Sequence, residues 1–279
     1  MLRKTLKMIS LVVTVATIAM AVSLVSTTPC MAASKKPKLA ERVEVKYYDK
    51  TEKKWLASAQ FDFTYNKKGD PVRIEWASYR GYGSYTKTLT YTYRANGKRK
   101  YAKYKQTGVE WGSLNGSYKY YTKKGTVYYD KRGRMTKDKC SYSSHFENGS
   151  NAGKWKDTEK YKYKKGGFYL PADEHKMEKT RIRNWKKGLL RKISLKSRTG
   201  GKWRLRHRFN KRGLVKKKTS NYRTKYTYNK KTGLVKSAKQ KCYGVGNYKY
   251  IFTYNNKSIS KTRYAAMINS FMDGQFMYY

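Results

Sequence analysis

One short phrase recurs along this chain: alternating aromatics, then Asn or Asp, two Lys or Arg, then Gly. It stands as Phe63-Thr64-Tyr65-Asn66-Lys67-Lys68-Gly69, as Tyr129-Asp130-Lys131-Arg132-Gly133 and as Phe209-Asn210-Lys211-Arg212-Gly213. Looser copies occupy 91–97, 121–125, 161–167 and 252–257, and the copy at 226–233 carries one extra turn residue. An aromatic at every second position means a strand with one aromatic face. An Asx side chain followed by Gly makes a tight turn, because the Asx bonds its own backbone and Gly supplies a positive φ. Each copy therefore predicts a β-hairpin. One hairpin alone is marginal, whereas neighbours laid side by side bury a continuous stripe. The expected fold is all-β: an antiparallel hairpin-repeat meander, as a curved sheet or a partial barrel or spiral, with a C-terminal amphipathic helix.

The alternation predicts one face holding Trp55, Ala57, Ala59, Phe61, Phe63 and Tyr65. In Trp203-Arg204-Leu205-Arg206-His207-Arg208-Phe209 it puts His207 on the inward side. Leu, Ile, Val and Phe together fall below the ~20% typical of folded chains, and 29 tyrosines make up the difference. Tyrosine must then build the core, with its hydroxyls reaching water or a partner at the rim. Two regions break the pattern. Residues 141–156, rich in Ser, Asn and Gly, read as a long loop, and 170–179 as an inserted loop or short helix. Beyond 258 the period changes. Tyr264, Met267, Ile268, Phe271 and Met272 follow helical spacing, Ser260 can cap the start and Gly274 can end it.

At the N-terminus, Arg3, Lys4 and Lys7 precede an uncharged apolar run and small residues at Cys30 and Ala32, the pattern of a secretory signal peptide. An uncleaved anchor is the alternative. The expected organisation is signal peptide 1–33, flexible leader 34–41, hairpin domain 42–257 and helix 258–274. Export implies a secreted, extracellular or wall-associated protein. It also permits a disulfide between Cys140 and Cys242, whose positions after their motif glycines have equal parity; the bridge and two free thiols both stay open.

The chain has 66 Lys and Arg against 17 Asp and Glu, a formal charge of +49, and all but three of its positive charges follow the signal peptide. Such a surplus attracts polyanions. Outside a cell these are teichoic acid, acidic polysaccharide, extracellular nucleic acid bound without specificity, and anionic membrane surfaces. The expected binding residues are Arg204, Arg206 and Arg208 on one strand face, with Lys216, Lys217 and Lys218 after the next turn. His145, His175 and His207 show no metal-ligand spacing, no cofactor motif is present, and no catalytic constellation emerges. Asp173-Glu174-His175 is the tightest acid–histidine cluster and the seat of an alternative glycan-hydrolase reading. A structural or protein-interaction module is a further alternative. Oligomeric state is not legible.

The units at 63–69, 128–136 and 226–235 resemble YD repeats, the Tyr-Asp hairpins of Rhs-type bacterial surface proteins. The resemblance runs loosely over 43–257 and implies hairpin architecture in an extracellular setting. The chain is short for the full shell those repeats form. The stretch 120–136 is also similar to the aromatic hairpins of choline- and glucan-binding wall modules, although the six Trp do not stand at that family's positions.

Overall fold

The turn phrase folds as its residues dictate. At 66–70 the Gly69 N–H donates to the Asn66 carbonyl (2.9 Å), the Asn66 side chain accepts from the Asp70 N–H (2.9 Å), and Gly69 takes φ +77°. Asp130 and Asn210 act likewise, accepting from the Arg134 and Leu214 N–H groups at 2.9 and 3.1 Å. A Cβ at such a φ would be strained, so the turn is written with glycine. One residue before each turn the strand pairing slips, at Thr64/Tyr65, Thr92/Tyr93, Tyr128/Tyr129, Arg208/Phe209 and Thr227/Tyr228. The repeated unit is thus a bulged hairpin.

The structure is a computed structural model. It describes residues 36–273 apart from 80–82, 113–116, 161, 164–168, 171–177, 185–188, 198–202, 219–221 and 243–245. The signal segment, the 173–175 cluster and Gly274 lie outside the described residues. The strands are β1 Lys38–Asp49, β2 Lys54–Tyr65, β3 Pro71–Ser78, β4 Gly83–Tyr93, β5 Arg99–Gly112, β6 Ser117–Tyr129, β7 Met135–Phe146, β8 Asn151–Lys160, β9 Lys162–Tyr163, β10 Tyr169–Leu170, β11 Glu178–Asn184, β12 Leu190–Ser197, β13 Trp203–Phe209, β14 Val215–Lys218, β15 Tyr222–Tyr228, β16 Val235–Cys242 and β17 Gly246–Ser258; helix α1 is Lys261–Asp273. Fifteen strands form one antiparallel sheet in the order β11 to β17, then β1 to β8, while β9 and β10 pair with each other. The meander is open: the first and last long strands meet in its middle through β17 and β1, and β11 and β8 are its two ends.

Helix α1 packs on one face of this sheet. Its Tyr264, Met267, Ile268, Phe271 and Met272 are buried with Leu39, Phe61, Leu214, Val235 and Phe252. The Phe271 ring stands edge-on to Phe61, Phe63 and Phe252 at 5.7–5.9 Å between centroids, the arrangement the ring quadrupole favours. The tyrosines bury their rings and anchor their hydroxyls: Tyr65 donates to the Ala40 carbonyl (2.6 Å), Tyr226 to Val215 (2.7 Å) and Tyr254 to Val235 (2.8 Å). Ser260 caps the helix, its Oγ accepting from the Arg263 N–H at 3.2 Å. A second cluster on the same sheet face gathers Ile74, Leu89, Ala102, Tyr104, Val127, Tyr129 and Met135.

Asp70 ties the helix to the hairpins. Buried to 4% exposure, it accepts from Arg99 Nε (2.9 Å) and Arg263 Nη2 (2.9 Å) on one oxygen and from the Tyr93 hydroxyl (2.7 Å) on the other. Strands β2, β4 and β5 and α1 thus converge on one carboxylate.

Five expectations need correction. Residues 38–41 are no flexible leader: they open β1, and Leu39 and Ala40 are core residues at 1% and 0% exposure. Residues 141–156 are no long loop but the facing arms of β7 and β8, turning at Gly149 with φ +81°. A break opposite Val45 and Lys46 slips β2 by one residue, so Trp55 and Ala57 leave the face that holds Ala59 and Phe61; Ala57 is exposed, and the Trp55 ring lies 5.7 Å from Lys239 Nζ. The helix starts at Lys261 rather than 258, because β17 runs on to Ser258. Cys140 and Cys242 share a face, as parity requires, but stand on β7 and β16 with seven strands between them, and both are free thiols. His207 is buried and stacked 6.0 Å from Phe209, as the alternation predicts.

Candidate polyanion-binding face

Because the helix-bearing face takes the aromatics, the alternate positions send Lys and Arg to the opposite face. Cross-strand register then decides which of them meet. Arg183 on β11 pairs with Lys192 on β12, Lys192 with Arg208 on β13, and Arg208 with Lys217 on β14. Lys217 pairs with Arg223 on β15, and Arg223 with Lys241 on β16. Six cations therefore stand in one row across six adjacent strands. At ~4.8 Å per strand the row is about 24 Å long. Five of the six are exposed, and Lys217 is half-buried.

A second row lies two residues along on β15 and β16 and continues onto β17 and β1. Lys225 pairs with Lys239, Lys239 with Lys249 on β17, and Lys249 with Lys46 on β1. None of the ten forms an ion pair with a described residue. Like charges directly opposite destabilise a sheet. In water the repulsion is about 1 kcal/mol for each adjacent pair before screening. An anionic chain laid along the rows removes that cost.

Of the six expected binding residues, the rows take in Arg208 and Lys217. Arg204 and Arg206 lie on β13, with Arg204 paired through its backbone to Leu195, and their side chains fall outside the described residues. Lys216, Lys217 and Lys218 do not share a face. Lys217 points to the row, Lys218 pairs with His207 and holds its Nζ 5.8 Å from the Tyr222 ring, and Lys216 is exposed at the register break. The other row members escaped sequence reading because nothing local marks them; only the summed turn lengths and bulges align them.

The same face carries a further cationic field on β5 to β8. Lys103, Lys105, Lys124, Lys139 and Lys156 alternate with Thr88, Thr90, Thr126 and Thr158 around a 770 Å³ depression. A second depression of 580 Å³ lies on this face, lined by Gln60, Asp62, Glu75, Tyr79, Thr107 and Tyr120 among others.

On the helix-bearing face of β4 to β7 sits a buried titratable cluster. Lys87, 3% exposed, places its Nζ 3.8 Å from the Tyr104 ring, whose hydroxyl donates to Asp138 at 3.1 Å. Burial drives the Lys87 ammonium down to about 7, partly offset by Asp138, and burial pushes the Asp138 carboxyl up. Tyr104 lies flat over Gly125, where a Cβ would stand 2.6 Å from its ring. Among the described residues no three His, Cys, Asp or Glu gather as a metal site. No described helix is long and apolar enough to cross a membrane.

No family model matches the chain, and no curated protein matches it. Among solved structures it is similar to a porin-like protein from Bacteroides uniformis ATCC 8492, at 11% identity over 79% of this chain and 100% of that one, with a TM-score of 0.32. A likeness so distant says nothing about what the chain does.

Proposed function

We propose that the protein is a secreted, non-enzymatic surface protein that binds anionic polymers: teichoic acid, acidic glycan or extracellular nucleic acid. The observation that carries this reading is the six-cation row from Arg183 to Lys241, a linear array of charges whose mutual repulsion a linear anion laid along it relieves. Lysine predominates, giving flexible point charges suited to polymers of varied geometry rather than to one bidentate partner. The hairpin architecture that resembles YD repeats supplies a rigid rack for those charges. Anionic membrane surfaces fall within the same electrostatic reach.

The test is binding of the exported chain to purified teichoic acid, a heparin-like glycan and single-stranded DNA over a salt series. Displacing six counterions from a single-stranded polyanion corresponds to a slope of log affinity against log salt of about −4. We expect slopes of that size, with one polymer retained at physiological ionic strength. Slopes near zero, or no binding at low salt, would count against the reading.

A further inference from the structure

The 580 Å³ groove breaks the chemistry of the face on which it lies. Among the described residues sixteen line it and none is Lys or Arg, although 66 of the chain's 279 residues are. The neighbouring 770 Å³ depression has five lysines among fourteen. With no described Lys or Arg in its lining, and Arg42 and Arg73 at its edge each engaged by a carboxylate, the groove is not built for the polymer that the rows attract.

Its parts are those of a polyol site. Tyr79 and Tyr120 are large rings left 57% and 40% exposed at its sides, and His145 stacks on Tyr120 with centroids 5.7 Å apart. Between them the floor is short: Ser84 and Thr86 on β4, Thr107 on β5. Asp62 and Glu75 face each other across β2 and β3. A hydrogen-bonded chain holds this wall in place: the Tyr79 hydroxyl donates to Gln60 Oε1 (2.8 Å), Gln60 Nε2 to Asp62 Oδ2 (2.6 Å), and Arg42 Nε to Asp62 Oδ1 (2.6 Å). Arg73 Nη2 donates to Glu75 Oε1 at 2.8 Å.

We infer that this groove binds an uncharged sugar chain, with the C–H faces of its rings on Tyr79 and Tyr120 and its hydroxyls against Asp62, Glu75 and the threonines. Each carboxylate is already matched by an arginine, so the wall offers acceptors without net charge and suits a neutral polyol better than a cation. A quaternary ammonium needs its aromatic walls around one point. Here they stand three strand steps apart, about 14 Å, which suits a ligand of several rings.

The inference does not depend on the polyanion reading, and one experiment separates them. Calorimetric titrations at high salt, where polyanion binding is suppressed, would use a β-1,4-linked glucose hexasaccharide and an N-acetylglucosamine tetrasaccharide. We expect at least one to bind with an affinity that salt does not change. The Tyr79→Ala/Tyr120→Ala double variant should weaken it about tenfold or more. Thr107→Lys, a change at an exposed strand position, should abolish it while leaving heparin-like glycan binding at low salt intact. Failure of both oligosaccharides to bind would overturn the inference. So would unchanged affinity in both variants, or binding of tetramethylammonium in place of the sugars.

Discussion

Replacing Asp70 with alanine is expected to destabilise the folded chain by about 3–5 kcal/mol, the usual cost of stripping a buried ion pair of one partner. The change leaves the Arg99 side chain, 11% exposed, and the Arg263 side chain, 26% exposed, without their carboxylate, and removes the acceptor of the Tyr93 hydroxyl. Because Arg263 lies on α1, the loss should also weaken the tie between the helix and the β2–β3 turn, leaving Arg263 only the Lys68 and Gly69 carbonyls there. Urea unfolding of the variant, with hydrogen exchange on α1, would show both effects. A shift under about 1 kcal/mol, of the size of an exposed pair, would refute the role of Asp70 as the junction.

The second large effect depends on pH. The Lys87 ammonium titrates near 7 in the folded protein, chiefly because it is buried, against an ordinary 10.5. Below about pH 7 the group is protonated in both states, and folding bears the full cost of burying the charge. From 7 upward the folded state releases the proton while the unfolded state keeps it to about 10.5, so this contribution to stability rises with pH across that window. Lys87→Met lacks it. The stability of the wild type relative to this variant should therefore increase by on the order of 4 kcal/mol between pH 7 and 10.5. Taking the difference cancels the titration of the many surface lysines. A difference that stays constant with pH would show that Lys87 is not held in a dry site. Burial raises the Asp138 carboxyl, which is present in both proteins.

These two groups also show what the sequence conceals. The hairpins, their Asx–Gly turns, the tyrosine core and α1 with its Ser260 cap were legible, because each rests on spacing within a dozen residues. Asp70 and Lys87 were not, because their partners lie 17 to 193 residues away across the sheet. Strand β8 was hidden because Lys154, Lys156, Asp157 and Glu159 carry no apolar alternation. As the end strand of the sheet it is exposed throughout that stretch and needs none. The cation rows were hidden for a third reason. Arg208 and Lys217 could be picked from local charge, but whether Lys217 stands beside Arg208, and Lys241 beside Arg223, depends on bulges at Arg208/Phe209 and Thr227/Tyr228, and a slip of one residue would send the whole strand's charges to the other face. The same dependence decides between bridge and free thiols: parity places Cys140 and Cys242 on one face, while sheet order keeps them apart.

On the proposed function, alignment of charge, not its amount, makes the binding face. The most direct test compares two variants of equal charge. In one, Lys192, Arg208, Lys217, Arg223 and Lys241 become glutamine; in the other, five exposed turn lysines, Lys50, Lys53, Lys67, Lys131 and Lys211, do. Binding to single-stranded DNA and teichoic acid over a salt series should show the row variant losing about a hundredfold or more, its salt slope falling from about −4 towards −1, and the turn variant staying close to wild type. Equal losses in the two would mean that the surplus charge acts as a diffuse cloud and that the row has no role of its own.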